Sequence, residues 1–377
     1  MNTTNDDKGV KVVIVIASII ICLLIGALAI SNIDFAKIFK NETINITKTE
    51  KEVTVTDKGI ADAVDKLYDA TVIVEVGTSR ENIEGWGSGV VYEKDDKYAY
   101  ILTNHHVVDD ADYVLIEYTD ESEVEGTVLG SDEIQDIAVV RVPVDTIKAV
   151  AEIGSSNDLK LGDTVFAIGT PLSLNYKYTV TRGILSGKDR LCQMKSSNNQ
   201  YGYYSNNNSW YMLLLQIDAT INSGNSGGPL ANANGQVVGI TNSKLSGSFS
   251  TSSIENMGFA IPIEDALNVA KQLKNDGKVT RPFLGISAND VSQAEVFDIR
   301  IDSSIKEGAL ITSVEAGSSA DSAGIKKGDV VTKIGDYTIK NFKYFRTYLY
   351  RYSVGDKVTI ELIRDGKPKT IEITLKS

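Results

Sequence analysis

The stretch Asn222-Ser-Gly-Asn-Ser-Gly-Gly-Pro-Leu230 decides how this chain is read. Ser226 stands among glycines at positions 224, 227 and 228, and glycine lets a backbone turn tightly enough to aim several amide N–H groups at one point. An oxyanion hole beside a nucleophilic serine needs that geometry. A plain glycine-rich hairpin would carry the same letters, so the rest of the chain has to decide. In a strand-to-helix nucleophile elbow the catalytic histidine follows the serine along the chain. The only two histidines, His105 and His106, both precede Ser226, which removes that arrangement.

Upstream lie Thr103-Asn-His-His-Val-Val108, which closes an apolar run, and Asp136-Ile-Ala-Val-Val140, which opens another. A serine hydroxyl is a weak nucleophile until a neutral imidazole takes its proton, and the imidazole needs a carboxylate to fix its tautomer and stabilise its charged form. An Asp leading into an apolar run is placed to be buried, although taken alone it also fits a strand-start turn. The order His, Asp, Ser is that of chymotrypsin-type proteases. Adjacent side chains on an extended segment point opposite ways, so one histidine of the pair is expected to face Ser226.

Further segments complete the pattern: Gly87-Ser-Gly-Val90, residues 154–171, Thr181-Arg-Gly-Ile184, residues 216–230 and Met257-Gly-Phe-Ala-Ile-Pro262. With these in order, the chain over about residues 60–377 resembles the high-temperature-requirement (HtrA, or Deg) serine proteases that carry one PDZ domain. The resemblance implies a mainly β fold, a chymotrypsin-like double β-barrel followed by a PDZ domain. It makes Ser226 the nucleophile and Asp136 the orienting acid. The amides of Gly224 and Ser226 become the oxyanion hole, with Asn225 shaping the turn. The family usually reads T-N-N-H-V where this chain reads T-N-H-H-V, so the register assigns His106 as base and puts His105 where an Asn is usual.

The same resemblance makes Phe283, Leu284, Gly285 and Ile286 the loop that holds a peptide's C-terminal carboxylate, with the peptide adding as a strand beside Ile286. Phe342, Phe345, Tyr348 and Leu349 share one helix face that could close the groove, or belong to the core. The resemblance further implies a homotrimer, hydrophobic C-terminal peptides as partners of the PDZ domain, and unfolded or damaged envelope proteins as substrates in a stress response. No acidic residue falls at the expected floor of the specificity pocket, formed by residues just before Ser226 and by 242–257, so small or medium aliphatic side chains are expected before the cut. The rival readings are a silent protease fold acting as a chaperone or peptide-binding scaffold, and a signalling protease of narrow specificity.

Composition sets the outer bounds. The chain has 377 residues with 38 Lys and Arg against 50 Asp and Glu, a formal charge of −12 that would repel a phosphate backbone, so nucleic acid is not an expected partner. Two cysteines, Cys22 and Cys192, promise neither a structural disulfide nor a thiolate metal site, and two neighbouring histidines without a third ligand make a poor zinc site. No metal and no cofactor are expected, since the triad needs none.

Residues 12–30 (VVIVIASIIICLLIGALAI) carry no charge over a length that nearly spans a bilayer core as a helix, and read as a single transmembrane anchor. Ala27-Leu-Ala29 gives the alternative of a cleaved signal. The expected organisation is a short cytoplasmic terminus at 1–11, the anchor at 12–30, a polar linker at 31–57, a protease domain at 58–277 and a PDZ domain at 281–377. By family analogy the catalytic unit lies outside the cell membrane. Short Val, Ile and Tyr runs between turn-rich segments predict antiparallel strands, with no long helical period before Pro262. A helix is expected after Pro262 until Gly277, with shorter ones near 318–323 and 341–351. Residues 187–209, crowded with Asn, Ser, Gly and Tyr, read as a long mobile loop.

Overall fold

A computed structural model describes residues 57–195, 209–243 and 256–377. The expected anchor at 12–30 and nearly all of the 31–57 linker lie outside the described residues. Among the described residues no helix is long and apolar enough to cross a membrane. Asp57 is not linker but the first residue of helix α1 (Asp57–Tyr68). Its Ala63 and Leu67, four apart, are buried in the central apolar cluster, while Asp62, Asp65 and Lys66 face outward. That narrow stripe, following a charged tether, leaves no long apolar period in the sequence.

The first layer is a seven-stranded antiparallel sheet: β1 (Thr71–Ser79), β2 (Asn82–Lys94), β3 (Tyr98–Thr103), β4 (Tyr113–Glu117), β5 (Glu123–Glu125), β6 (Thr127–Asp132) and β7 (Ile137–Pro143), in the order β5-β4-β1-β2-β3-β7-β6. The two edge strands, β5 and β6, are separated in sequence by Gly126 alone, so the sheet curls until its ends meet. Val72, Val74, Ile101, Ile116 and Val140 fill its interior. The second layer is a closed six-stranded barrel of β8 (Thr164–Gly169), β9 (Thr179–Lys195), β10 (Ser209–Ile217), β11 (Pro229–Asn232), β12 (Val237–Asn242) and β13 (Gly258–Pro262). It closes around Val165, Leu215, Ile217, Leu230 and Val238. Between the barrels, helix α2 (His105–Val108) follows β3. Helix α3 (Ile263–Asp276) follows Pro262 as expected and stops at Gly277, whose N–H bonds back to the Leu273 carbonyl.

The first nine residues of the 187–209 segment are not a loop. Strand β9 continues to Lys195, paired with β10 through Leu191↔Leu213, Cys192↔Met212 and Met194↔Trp210. The reason is a two-residue alternation that the surrounding polar letters obscure: Cys192 and Met194 point into the protease core, while Leu191 and Leu213 join the core of the following domain. Residues 196–208 lie outside the described residues.

The C-terminal unit contains β14 (Ile286–Asp290), β15 (Ala309–Val314), β16 (Val330–Ile334), β17 (Tyr337–Thr338), β18 (Lys357–Arg364) and β19 (Lys367–Thr374). Its sheet runs β14-β15-β16-β18-β19, with β17 on β16. Helices α4 (Ser319–Ser322) and α5 (Phe342–Leu349) match the expected short helices, each capped by a side chain, Ser318 and Asn341. Beyond the Leu191–Leu213 contact, two arginines tie this unit to the barrels. Arg351 reaches Asp265 of α3 at 2.9 Å and lies over the rings of Tyr337 and Tyr348, and Arg281 makes a two-pronged contact with Asp132 at the end of β6.

Candidate active site

The pairing of β3 with β7 sets up the first half of the site. Thr103 lies opposite Ala138, so the residues leaving β3 pass beside the turn that enters β7. His105 and His106 begin the four-residue helix α2 and are not on an extended segment, which replaces the expected alternation with a helical one. The outcome is still a division of labour. His106 Nδ1 lies 2.7 Å from Asp136 Oδ2, and its backbone N–H donates to Asp136 Oδ1 at 3.0 Å. His105 turns away, with Nδ1 2.9 Å from Ser131 Oγ and Nε2 3.6 Å from Asp109.

Asp136 is 2% exposed and is held from every side. Asn242 Nδ2 donates to its Oδ2 at 2.7 Å, and Asn104 Nδ2 donates to its main-chain carbonyl at 2.7 Å. Its φ of 53° is left-handed, a conformation that costs a non-glycine residue about 1–2 kcal/mol and persists where neighbours fix it.

The second half is the glycine loop. Gly224 has φ 97°, and a Cβ there would come within 2.0 Å of the Thr170 carbonyl, so no other residue fits. Ser88 of β2 stitches this loop to the first barrel. Its N–H donates to the Ser226 carbonyl at 2.8 Å and its hydroxyl to the Gly224 carbonyl at 2.7 Å. On the other flank, the Gly227 N–H donates to the Thr241 carbonyl, and the Thr241 hydroxyl donates to the carbonyls of Asn225 and Gly228. Among the described residues no acceptor takes the N–H of Gly224 or of Ser226, while the amides between and after them, Asn225 and Gly227, are both bonded. The loop therefore offers two free donors, on either side of Asn225, next to the Ser226 hydroxyl.

His106 and Asp136 are joined directly and Ser226 is linked to them through the neighbours Asn242, on Asp136, and Ser243, on Ser226, but no hydrogen bond joins the serine hydroxyl to His106 among the described residues. Ser226 Oγ instead lies 2.6 Å from Ser243 Oγ and accepts the Ser243 N–H at 3.1 Å. Sequence reasoning left Ser88 and Asn104 without a role, and it expected Asn242 and Ser243 only within the pocket-lining segment 242–257, not on Asp136 and Ser226. Ser88 and Asn104 sit inside quoted motifs, whereas Asn242 and Ser243 carry no distinguishing pattern. Of the expected pocket segment 242–257, positions 244–255 lie outside the described residues.

In the C-terminal unit a groove of about 160 Å³ is lined by Phe283, Leu284, Gly285, Ile286, Phe342, Phe345 and Leu349. Tyr348 is not part of it: it stacks on Tyr337 with ring centres 4.4 Å apart, on the side of Arg351. The Glu315 N–H donates to the Gly285 carbonyl, which makes Ile286↔Val314 a non-hydrogen-bonded pair and turns the Ile286 N–H and C=O toward the open edge of β14. The N–H groups of Leu284 and Gly285 have no acceptor among the described residues, whereas that of Phe283 is bonded to the Lys376 carbonyl.

Comparison with known proteins matches the same two units. A trypsin-like peptidase domain model matches residues 87–240, and a PDZ domain model matches residues 282–375. The chain is 40% identical over 336 residues to the serine protease Do-like HtrB of Bacillus subtilis (strain 168), covering 84% of this chain and 70% of that one. It is 38% identical over 293 residues to the serine protease Do-like HtrA of Lactococcus lactis subsp. cremoris (strain MG1363), covering 77% and 70%. Among solved structures, it is similar to the HtrA-type protease AlgW with a tripeptide, with a TM-score of 0.62 at 26% identity over 84% of this chain and 96% of the other. It is also similar to a serine endoprotease from Yersinia pestis, with a TM-score of 0.55 at 29% identity over 84% and 97%.

Proposed function

Because this chain belongs to the HtrA family of serine proteases, we propose that its endopeptidase chemistry runs through His106, Asp136 and Ser226. The observation that carries this reading is the buried 2.7 Å contact between His106 and Asp136 beside a glycine loop with two unengaged N–H groups. In the reacting state Ser226 leaves Ser243 and turns to His106 Nε2. The imidazole takes the hydroxyl proton as Oγ attacks the scissile carbonyl, then delivers it to the departing amine. Asp136, fixed by Asn242 and by the His106 N–H, holds the imidazole with Nδ1–H inward and stabilises its positive charge. The developing oxyanion is received by the N–H groups of Gly224 and Ser226, with Asn225 setting the turn between them. The bond of Ser226 to Ser243 fits a resting state that activation must release.

The open edge of β14 with the free amides of Leu284 and Gly285 supports capture of hydrophobic C-terminal peptides by β-addition, Phe283 and Ile286 flanking the carboxylate. Domain limits of 58–277 and 281–377, anchoring through residues 12–30 with the catalytic unit outside the cell membrane, assembly as a homotrimer, and cleavage of unfolded or damaged envelope proteins under stress complete the proposal. The direct test of the triad is labelling by a fluorophosphonate. Mass spectrometry should place the adduct on Ser226, and labelling should be lost in His106→Ala but kept in His105→Ala. An adduct elsewhere, or loss with His105 instead, would overturn the assignment.

A further inference from the structure

Asp136 must keep a left-handed backbone and a fixed carboxylate, yet the turn before it, residues 132–136, belongs to no helix or strand after Asp132. Three contacts hold that turn. The Gln135 N–H donates to Asp132 Oδ2 at 2.8 Å, closing it from within. The Trp210 indole N–H of β10 donates to the Ile134 carbonyl at 2.8 Å. The third contact is Arg281, whose Nη1 and Nη2 donate to Asp132 Oδ1 and Oδ2 at 2.8 and 2.6 Å. Both partners are largely buried, the side chains being 18% and 9% exposed. Such a fork fixes a carboxylate in orientation as well as distance. Asp132 Oδ2 is therefore shared between Arg281 and Gln135, the residue directly before Asp136.

Arg281 is remote from Ser226 in sequence and belongs to the junction that leads into the C-terminal unit. Its guanidinium is backed by the Tyr350 ring, 5.2 Å away. The geometry points to Arg281 as a positioning residue for the triad: through Asp132 it holds the 132–136 turn, and thereby the Asp136 carboxylate, against His106 Nδ1. This rests on the triad reading above. Without the fork, Asp132 is a poorly hydrated carboxylate that draws away from the Gln135 N–H toward water. The turn is then free to relax the left-handed strain at Asp136, and the imidazole loses its fixed partner.

The test uses the full-length chain with Arg281→Ala, Arg281→Lys, Asp132→Asn and the double variant Arg281→Ala/Asp132→Asn. The readouts are steady-state cleavage of a short chromogenic peptide and the far-downfield proton NMR line of an imidazole N–H bonded to a carboxylate. With two histidines in the chain, a His105→Gln background assigns that line to His106. Arg281→Ala should lower kcat roughly 5- to 30-fold, the range that 1–2 kcal/mol of released strain represents, with KM nearly unchanged. The downfield line should broaden or shift in step. Arg281→Lys should recover part of both effects, and the double variant should be no worse than the poorer single one. A folded Arg281→Ala protein with unchanged kcat and an unchanged line overturns the inference. A parent protein that lacks the line, or that keeps its activity in Asp136→Asn, overturns the triad reading itself.

Discussion

Replacing Arg351 by Met removes one charge from the interface between the barrels and the C-terminal unit while keeping most of its apolar volume. The guanidinium is 13% exposed and faces Asp265, itself 9% exposed, with Nη2 donating to Oδ2 at 3.0 Å, and Asp189 lies 3.4 Å away on the outer side. Removing one partner of such a pair leaves an uncompensated buried carboxylate, at a cost of about 3–5 kcal/mol. The C-terminal unit can avoid that cost by swinging away and letting water reach Asp265. At about 1.4 kcal/mol per factor of ten, the docked-to-undocked ratio should fall by about a hundredfold to a few thousandfold. Burial already pushes the Asp265 carboxyl up, with Arg351 opposing. In the variant the docked form therefore prefers a protonated Asp265. Docking should be regained below the ordinary carboxylate range and lost again as the pH rises through the elevated value. Hydrogen exchange across α3 and the β9–β10 hairpin, with small-angle scattering of the same samples, reads this directly. Arg351→Met/Asp265→Asn should largely restore the parent pattern. Unchanged exchange and unchanged scattering radius in Arg351→Met at neutral pH would refute the reasoning and reduce the pair to a near-neutral contact.

Ser243→Ala removes one of the two hydrogen bonds that hold Ser226 Oγ away from His106, so fluorophosphonate labelling should accelerate about 2- to 12-fold, the equivalent of 0.5–1.5 kcal/mol; a slower reaction would show that Ser243 assists the nucleophile. Gly285→Ala places a Cβ 2.2 Å from that of Ser318 at a φ of 69°, so affinity for a hydrophobic C-terminal peptide, read by fluorescence anisotropy, should fall about tenfold or more while short-peptide hydrolysis continues. The Glu75 carboxyl is raised by burial, then by the charges of Glu117 and Glu123, against the pull of Lys177. A carboxyl raised on folding favours the native state below its unfolded value and ceases to do so as the pH rises through the folded one. Glu75→Gln should accordingly raise Tm by about 2–4 °C at pH 7, the effect of roughly 1 kcal/mol, and by less at pH 4 in a calorimetric scan.

What the sequence made legible is what depends on local chemistry. The glycine-serine loop, the histidine pair and the Asp before an apolar run could be read because each residue type has a chemical reason to stand at that point of a strand or turn. The antiparallel strand runs and the helix after Pro262 followed from turn residues and apolar period, while the order of the strands did not. What escaped depends on contacts between distant segments. Helix α1 shows only a narrow stripe because one face alone meets the barrels. The extension of β9 was masked by polar letters, since its outward residues serve a second domain and its inward ones are Cys192 and Met194 rather than β-branched residues. Asn242 ends β12 and Ser243 follows it, without distinctive spacing. Their roles exist only because β12 delivers them to Asp136 and Ser226. Placing His105 and His106 on a helix rather than a strand changed the reason one of them faces Asp136, while the assignment rested on motif register.

The central claim is that Ser226 cuts unfolded protein and that the C-terminal groove governs this activity. The measurement that tests it most directly is the cleavage rate of a permanently unfolded protein, reduced and alkylated α-lactalbumin, by the full-length chain and by Ser226→Ala. Both are run with and without a peptide ending in hydrophobic residues. The account predicts fragments from the parent, a faster rate with the peptide, and no fragments from Ser226→Ala under either condition. Equal cleavage by the Ser226→Ala protein, or a folded parent that yields no fragments with or without the peptide, would contradict it.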